Sequence, residues 1–481
     1  MSLSRSSSSP RPASRLSPTA RHALADATRD VYWTDRPELR PVPRPQLTGH
    51  EHRVDLLVVG GGFTGLWAAI QAKEDHPSRD VLLLEAGRLG VGASGRNGGF
   101  VSPSLTHGLA QGIALWPSEM ATLERLGSEN FAAIERTLAT HDIDADFHVP
   151  GELTLALTEH QVPSVRAAYE LRRAHGVDAE YLDSAAARAR VSSPMYRAGI
   201  FEPHVGLLDP ARLVWGLART SESLGVRLHE DTRVTGFETD GAGVRVRTEW
   251  GSVHAGRVVI GTNAYRGVLK RFNAWVLPVY DHVLMTEPLA PDQLASIGWQ
   301  GREGLTDAGN QFHYYRRTLD DRILFGGYDA NYYFPGRIDA ALEQSDTSHG
   351  LLAEHFFAIF PQLEGLRFTH RWGGVIDTTS RFTPVFGTAL RGRMAYAVGY
   401  TGLGVASTRF GARVALDLVD GRDTEVTRLE MVRRKPIPFP PEPIRSAAVR
   451  ATRASLAAED RTGRRNLWLR ALDRVGVGFD S

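Results

Sequence analysis

Hydrophobic positions change period several times along the chain. VDLLVV at 54–59 and VLLLE at 81–85 are short unbroken apolar runs, the pattern of strands buried on both faces, and the stretch Thr64–Lys73 between them has helical spacing. ELTLALT at 152–158 alternates like a half-buried strand. RVRTEW at 245–250 and RVVIGT at 257–262 predict strands beside a nucleotide-binding fold, while HVLMTEP at 282–288 and RILFGGYD at 322–329 predict a second, antiparallel sheet. VASTRFGARVALDLVDG at 405–421 predicts a helix ended by a C-capping glycine. Residues 1–25 are rich in Ser, Arg and Pro, lack any period and are predicted to be disordered. Near the other end, KPIPFPPEPIR is a Pro-rich strap before a charged, helix-like tail over 431–481. No repeat of fixed period is present. The pattern predicts an α/β protein (α+β overall), with a Rossmann-like domain and a second domain on a mostly antiparallel sheet.

Composition narrows the function classes. A chain of 481 residues suits two or three domains, and 42% hydrophobic with 23% charged residues is ordinary for a globular protein. The net charge of +1 provides no field to gather nucleic acid or anionic lipid. Nearly all the cations are arginine, with lysine only at Lys73, Lys270 and Lys435. Cysteine is absent, which excludes disulfides, cysteine-ligated metals and iron–sulfur clusters. No run approaches the roughly 18 apolar residues of a membrane span. The opening segment lacks a secretory apolar stretch, so a cytoplasmic location is expected. His50-Glu51-His52 has no third ligand at useful spacing, so no metal is predicted. The arginines of 461–470 read as a solvated helix face.

Candidate chemistry starts at Gly60-Gly61-Gly62-Phe63-Thr64-Gly65, a G-x-G-x-x-G placed directly between strand and helix. Gly60 permits the tight turn, Gly62 lets a pyrophosphate approach the backbone, and Gly65 lets helix and strand pack closely. The helix start offers free amides and a positive dipole end to phosphate. Glu85 closes the next strand, where a carboxylate accepts from ribose hydroxyls and repels a 2′-phosphate. This motif does not separate NAD from FAD. The segment Gly92-Ala93-Ser94-Gly95-Arg96-Asn97-Gly98-Gly99 does, together with Gly399-Tyr400-Thr401-Gly402-Leu403-Gly404-Val405 between a strand and a long helix.

In these two segments the sequence resembles the FAD-dependent family of D-amino acid oxidase, glycine oxidase and sarcosine oxidase, and GASGRNGG is similar to the branch that holds γ-glutamylputrescine oxidoreductase. The resemblance runs through most of 31–440. It implies a glutathione-reductase-type FAD domain in three parts (51–110, 201–265 and 371–430) and a substrate domain in two (111–200 and 266–370). It also implies that Ala93, Ser94, Arg96, Asn97 and Gly98 follow the pyrophosphate toward the flavin. Val234 then reaches the adenine, Asn263 ends a strand beside the cofactor, and Gly402, Leu403, Gly404 and Val405 lie against the flavin pyrimidine. Backbone amides there suit the negative charge of a reduced flavin. With no cysteine, and no histidine in the 92–99 loop, FAD is expected to be non-covalent.

The implied reaction is oxidation of an amine or amino acid by hydride transfer to flavin N5, giving an imine that hydrolyses. It needs orientation and a dry pocket more than a catalytic triad. Tyr314, Arg316, Trp372 and Asp377 are the predicted substrate-side residues, with Arg316 or Arg381 as a carboxylate clamp. The strand that carries an oxygen-activating lysine in several relatives matches RILFGGY, which has none. Oxygen or another acceptor thus stays open, with His282 or Arg316 as substitute cations. A binding protein with a structural flavin is the alternative without turnover.

Overall fold

The computed structural model describes residues 16–49, 51–265, 269, 272–474 and 476–477. The predicted disorder of 1–15, His50 of the His-Glu-His cluster, and Lys270 lie outside the described residues.

The apolar run at 54–59 is the centre of the first sheet. Strand Glu51–Val59 pairs in parallel with Val81–Leu84 on one side and Ser252–Ile260 on the other. The order continues to Arg227–His229 at one edge and to Met394–Val398 and Val385–Ala389 at the other. Strands Val234–Asp240 and Gly243–Thr248 branch off Ser252–Ile260 as an antiparallel extension. Helix Phe63–Asp75 is buried from Phe63 to Lys73 because helices Pro210–Ser223 and Gly404–Val419 pack on either side of it. That double cover explains why its sequence shows little polar face. Helix Gly404–Val419 ends as expected, with Gly421 in the left-handed region at φ 70°.

The second sheet has the order Phe368–Thr378, Leu277–Thr286, Ile323–Gly327, His313–Arg317, Gly304–Asp307, Glu152–Ala156, Ala198–Glu202, Glu180–Asp183. Every neighbouring pair is antiparallel except Gly304–Asp307 with Glu152–Ala156.

Two expectations are corrected. A domain boundary at 371 cuts through strand Phe368–Thr378, which pairs with Leu277–Thr286 in unbroken register from Thr378 back to His370 and so belongs to the second sheet. Disorder up to residue 25 is also wrong, since Pro18–Leu24 is a helix capped by Ser17, whose hydroxyl accepts from Ala20 N. Ala20 and Ala23 are buried in the core of the second sheet, and their small size lets the helix sit close to it. Composition read this segment as polar; two alanines on one face were enough to dock it. Among the described residues no helix is long and apolar enough to cross a membrane.

Candidate functional site

The site begins where strand Glu51–Val59 stops. Gly60 has φ 107°, and a Cβ on it would lie 2.5 Å from Gly261 O. A Cβ on Gly65 would fall 1.9 Å from Gly60 O, so only glycine lets the helix start this close to the strand end. The N-cap, Gly62, contributes no side-chain bond. Amides of the first turn beyond Phe63 are therefore left for an anion. Phe63 N donates to Ser94 Oγ (2.9 Å), which ties the 92–99 loop to the helix start. Glu85 accepts from Gly61 N (2.7 Å) and Gly87 N (2.9 Å), and burial raises its pKa against the pull of those amides.

The 92–99 loop is held from both ends. Trp33 Nε1 donates to Asn97 O and Trp372 Nε1 to Arg96 O, each at 2.9 Å. Asn97 folds the loop on itself, donating to Ala93 O and Ser94 O and accepting from Gly99 N. Arg96 reaches across to Gly373 O (3.0 Å) and pairs with Glu343 (2.5 Å). At the far end, Asp377 accepts from Gly399 N (2.5 Å) and Tyr400 N (3.1 Å), and burial raises its pKa to about 7. This fixes the turn that precedes helix Gly404–Val419, and Thr64 Oγ1 donates to Tyr400 Oη (3.1 Å) to join the two glycine motifs.

These parts enclose one continuous cavity of about 1820 Å³. Gly60, Gly62, Phe63, Thr64 and Glu85 line its first stretch, then Ala93, Ser94, Arg96, Asn97 and Gly98. Val234 and Asn263 border it from the first sheet, and Asp377, Gly402, Leu403, Gly404 and Val405 close the opposite wall. Tyr314 faces it from the second sheet.

Five predicted residues do not line it. Gly65 lies behind the helix start. Trp372 is buried and spends its N–H on the loop carbonyl, so it shapes the site from behind rather than touching it. Arg316 is fully buried and off the cavity wall, with Nη1 donating to Leu208 O (2.5 Å), Nη2 3.8 Å from Asp146, and Nε and Nη2 without a hydrogen-bond partner among the described residues. Arg381 likewise sits over the Trp116 ring and donates to Arg434 O. His282 faces away as well: it packs against His349, and burial holds it neutral with a pKa of about 4.

Two cavity residues were missed. Asp281, next to His282 on the opposite face of its strand, accepts from Tyr314 Oη (2.6 Å) and His282 N (2.8 Å), and burial raises its pKa to about 6. Only the strand register tells which of the two neighbours faces the cavity. His107 lies beyond the glycine loop and is held neutral by burial, with a pKa of about 4; its Nε2 has no hydrogen-bond partner among the described residues. No motif marks it.

A parallel sheet with a glycine-edged helix start, a strand-end carboxylate and a second sheet roofing the same cavity define a dinucleotide-dependent oxidoreductase. Residues 55–418 match the model of the DAO family, FAD dependent oxidoreductase, and the chain belongs to that family. It is 30% identical over 394 residues to "Probable oxidoreductase OrdL" of Haemophilus influenzae, covering 80% of this chain and 87% of that protein. It is 32% identical over 375 residues to "Gamma-glutamylputrescine oxidoreductase" of Escherichia coli, covering 76% and 84%. The fold is similar to that of glycine oxidase from Geobacillus kaustophilus, with TM-score 0.65, 22% identity and coverage of 78% and 96%. FAD fits what is built here: helix-start amides, a carboxylate at the end of the second strand and a corridor of glycine, alanine and serine.

Glu85→Ala is expected to lower the flavin content of the purified protein while its far-UV circular dichroism stays unchanged. Full flavin occupancy after extensive dialysis would contradict that role. Acid or heat precipitation is expected to release the flavin into the supernatant, and colour retained in the pellet would show a covalent bond.

Proposed function

We propose that this protein oxidises an amine or amino acid at the carbon beside nitrogen, using non-covalently held FAD, to an imine that water hydrolyses to a carbonyl compound. The observation that carries the reading is Asp281, a carboxylate on the cavity wall held by the Tyr314 hydroxyl. An anion at that place attracts a substrate ammonium and accepts its proton, which leaves the neutral amine that oxidation requires. Tyr314 orients Asp281 by donating to one oxygen, and His282 N holds the other. FAD, when bound, supplies the two-electron acceptor for the hydride on carbon. The relative named for γ-glutamylputrescine, an amine, supports the substrate class.

A specific observation also favours an acceptor other than oxygen. A Cβ on Gly326 would lie 2.7 Å from the Tyr314 ring, so strand Ile323–Gly327 keeps its glycine to make room for that ring and carries no lysine. The substitutes considered, His282 and Arg316, are both turned away from the cavity.

Asp281 is ionised above a pH of about 6 and protonated below it. kcat/KM is therefore expected to fall as pH drops through about 6. Asp281→Asn should abolish that limb and lower kcat/KM by roughly 100-fold or more. A variant with the wild-type pH profile would remove Asp281 from the chemistry.

For reoxidation, stopped-flow mixing of the reduced protein is expected to show faster reaction with a quinone or dye than with oxygen. A cation beside the flavin would otherwise stabilise the superoxide formed in the first step. Equal rates would assign the protein as an oxidase.

A further inference from the structure

The family match ends at residue 418, yet the chain continues and folds back over the same cavity. The Pro-rich strap is fastened at the flavin end, where Ser380 Oγ donates to Ile437 O and Phe439 N to Ala274 O, both at 2.7 Å. Helix Ile444–Thr462 follows, with Arg453 paired to Asp329 just beyond strand Ile323–Gly327. Its far end is clasped by Asp460, which accepts from Asn310 N (2.8 Å), Asn310 Nδ2 (2.8 Å) and Gln311 N (2.9 Å). Helix Leu467–Arg474 folds back beside it, with Trp468 Nε1 donating to Thr452 Oγ1 (3.0 Å).

One stripe of this tail faces the cavity. Val449, Thr452 and Leu456 follow helical spacing, and Trp468 and Leu472 extend the lined surface. Most charged and polar groups here are engaged, though Arg453 Nε has no hydrogen-bond partner among the described residues. Arg445 donates to Pro440 O and Asn273 O (2.9 Å each), Arg453 pairs with Asp329, and Gln311 Nε2 donates to Tyr328 O (3.1 Å). Beside Arg445, Thr452 and Arg453, the tail presents hydrocarbon and ring to the cavity that Asp281 and Tyr314 also line.

We propose that the C-terminal tail forms the side-chain site of the substrate, and that the amine carries an extended hydrocarbon substituent lying along the Val449–Leu456–Leu472 stripe. This rests on the amine reading above. The nitrogen goes to Asp281, and the chain beyond it leaves water against the tail. Each buried methylene strengthens binding about fourfold until the chain meets the end of the stripe.

The test uses the full-length flavin-loaded protein and a series of straight-chain primary amines from propylamine to octylamine. Binding is measured by calorimetry and oxidation by steady-state kinetics. Affinity is expected to rise about fourfold per methylene. Leu456→Trp and Val449→Trp, which fill the stripe, are expected to remove most of that gain, with flavin content and thermal midpoint unchanged as the check on folding. A flat series, an undiminished gain in both variants, or no binding at any length would overturn the proposal. Chain-length-dependent binding without oxidation would uphold the tail site and remove amine oxidation instead.

Discussion

A glycine turn has no side chain to hold it in place, and the turns around this cavity are held by carboxylates that accept from their amides. Glu85 takes Gly61 and Gly87, Asp377 takes Gly399 and Tyr400, and Asp460 takes Asn310 and Gln311. A hydrogen bond to a charged group is worth about twice a neutral one, and a buried amide left without a partner is costly. Each acid also belongs to a different part of the chain from the turn it holds, or to the next strand along. Asp377 is the widest such stitch, since its strand lies in the second sheet and its turn follows a strand of the first. The cavity exists because these bonds keep two sheets and a tail at fixed distance around a strip of bare backbone.

How much of this was legible depended on whether a feature is local. The glycine motif, its strand and helix, and Glu85 are local: they lie within one β-α-β unit whose spacing is set by covalent geometry. The 92–99 loop and the 402–405 turn stand out as glycine-rich segments, and it is the resemblance that assigns them to the cofactor. The substrate side was read less well. Trp372 and Arg316 drew attention as aromatic and basic residues in strands, yet both are buried behind the cavity wall and donate to backbone carbonyls, at Arg96 and Leu208. Asp281 sits in the plain strand VYDHV beside the more conspicuous His282. Which of the two faces the cavity is decided by pairing with Phe368–Thr378, a contact between residues far apart in sequence.

The ends of the chain show the same limit. Residues 18–24 look solvated by composition, and two buried alanines dock them. The tail was read as charged helix, and its basic face is indeed exposed at Arg461, Arg464 and Arg470. Its other face is set against the cavity, a relation that no period in the tail alone reveals.

The central claim is that this cavity holds a flavin that an amine reduces. The direct measurement is the visible absorption of the purified protein under anaerobic conditions, before and after adding amines. The account predicts a flavin spectrum that bleaches with an amine and stays intact with the corresponding alcohol. A colourless protein that takes up no added FAD, or a flavin spectrum that no amine or amino acid bleaches, would contradict it.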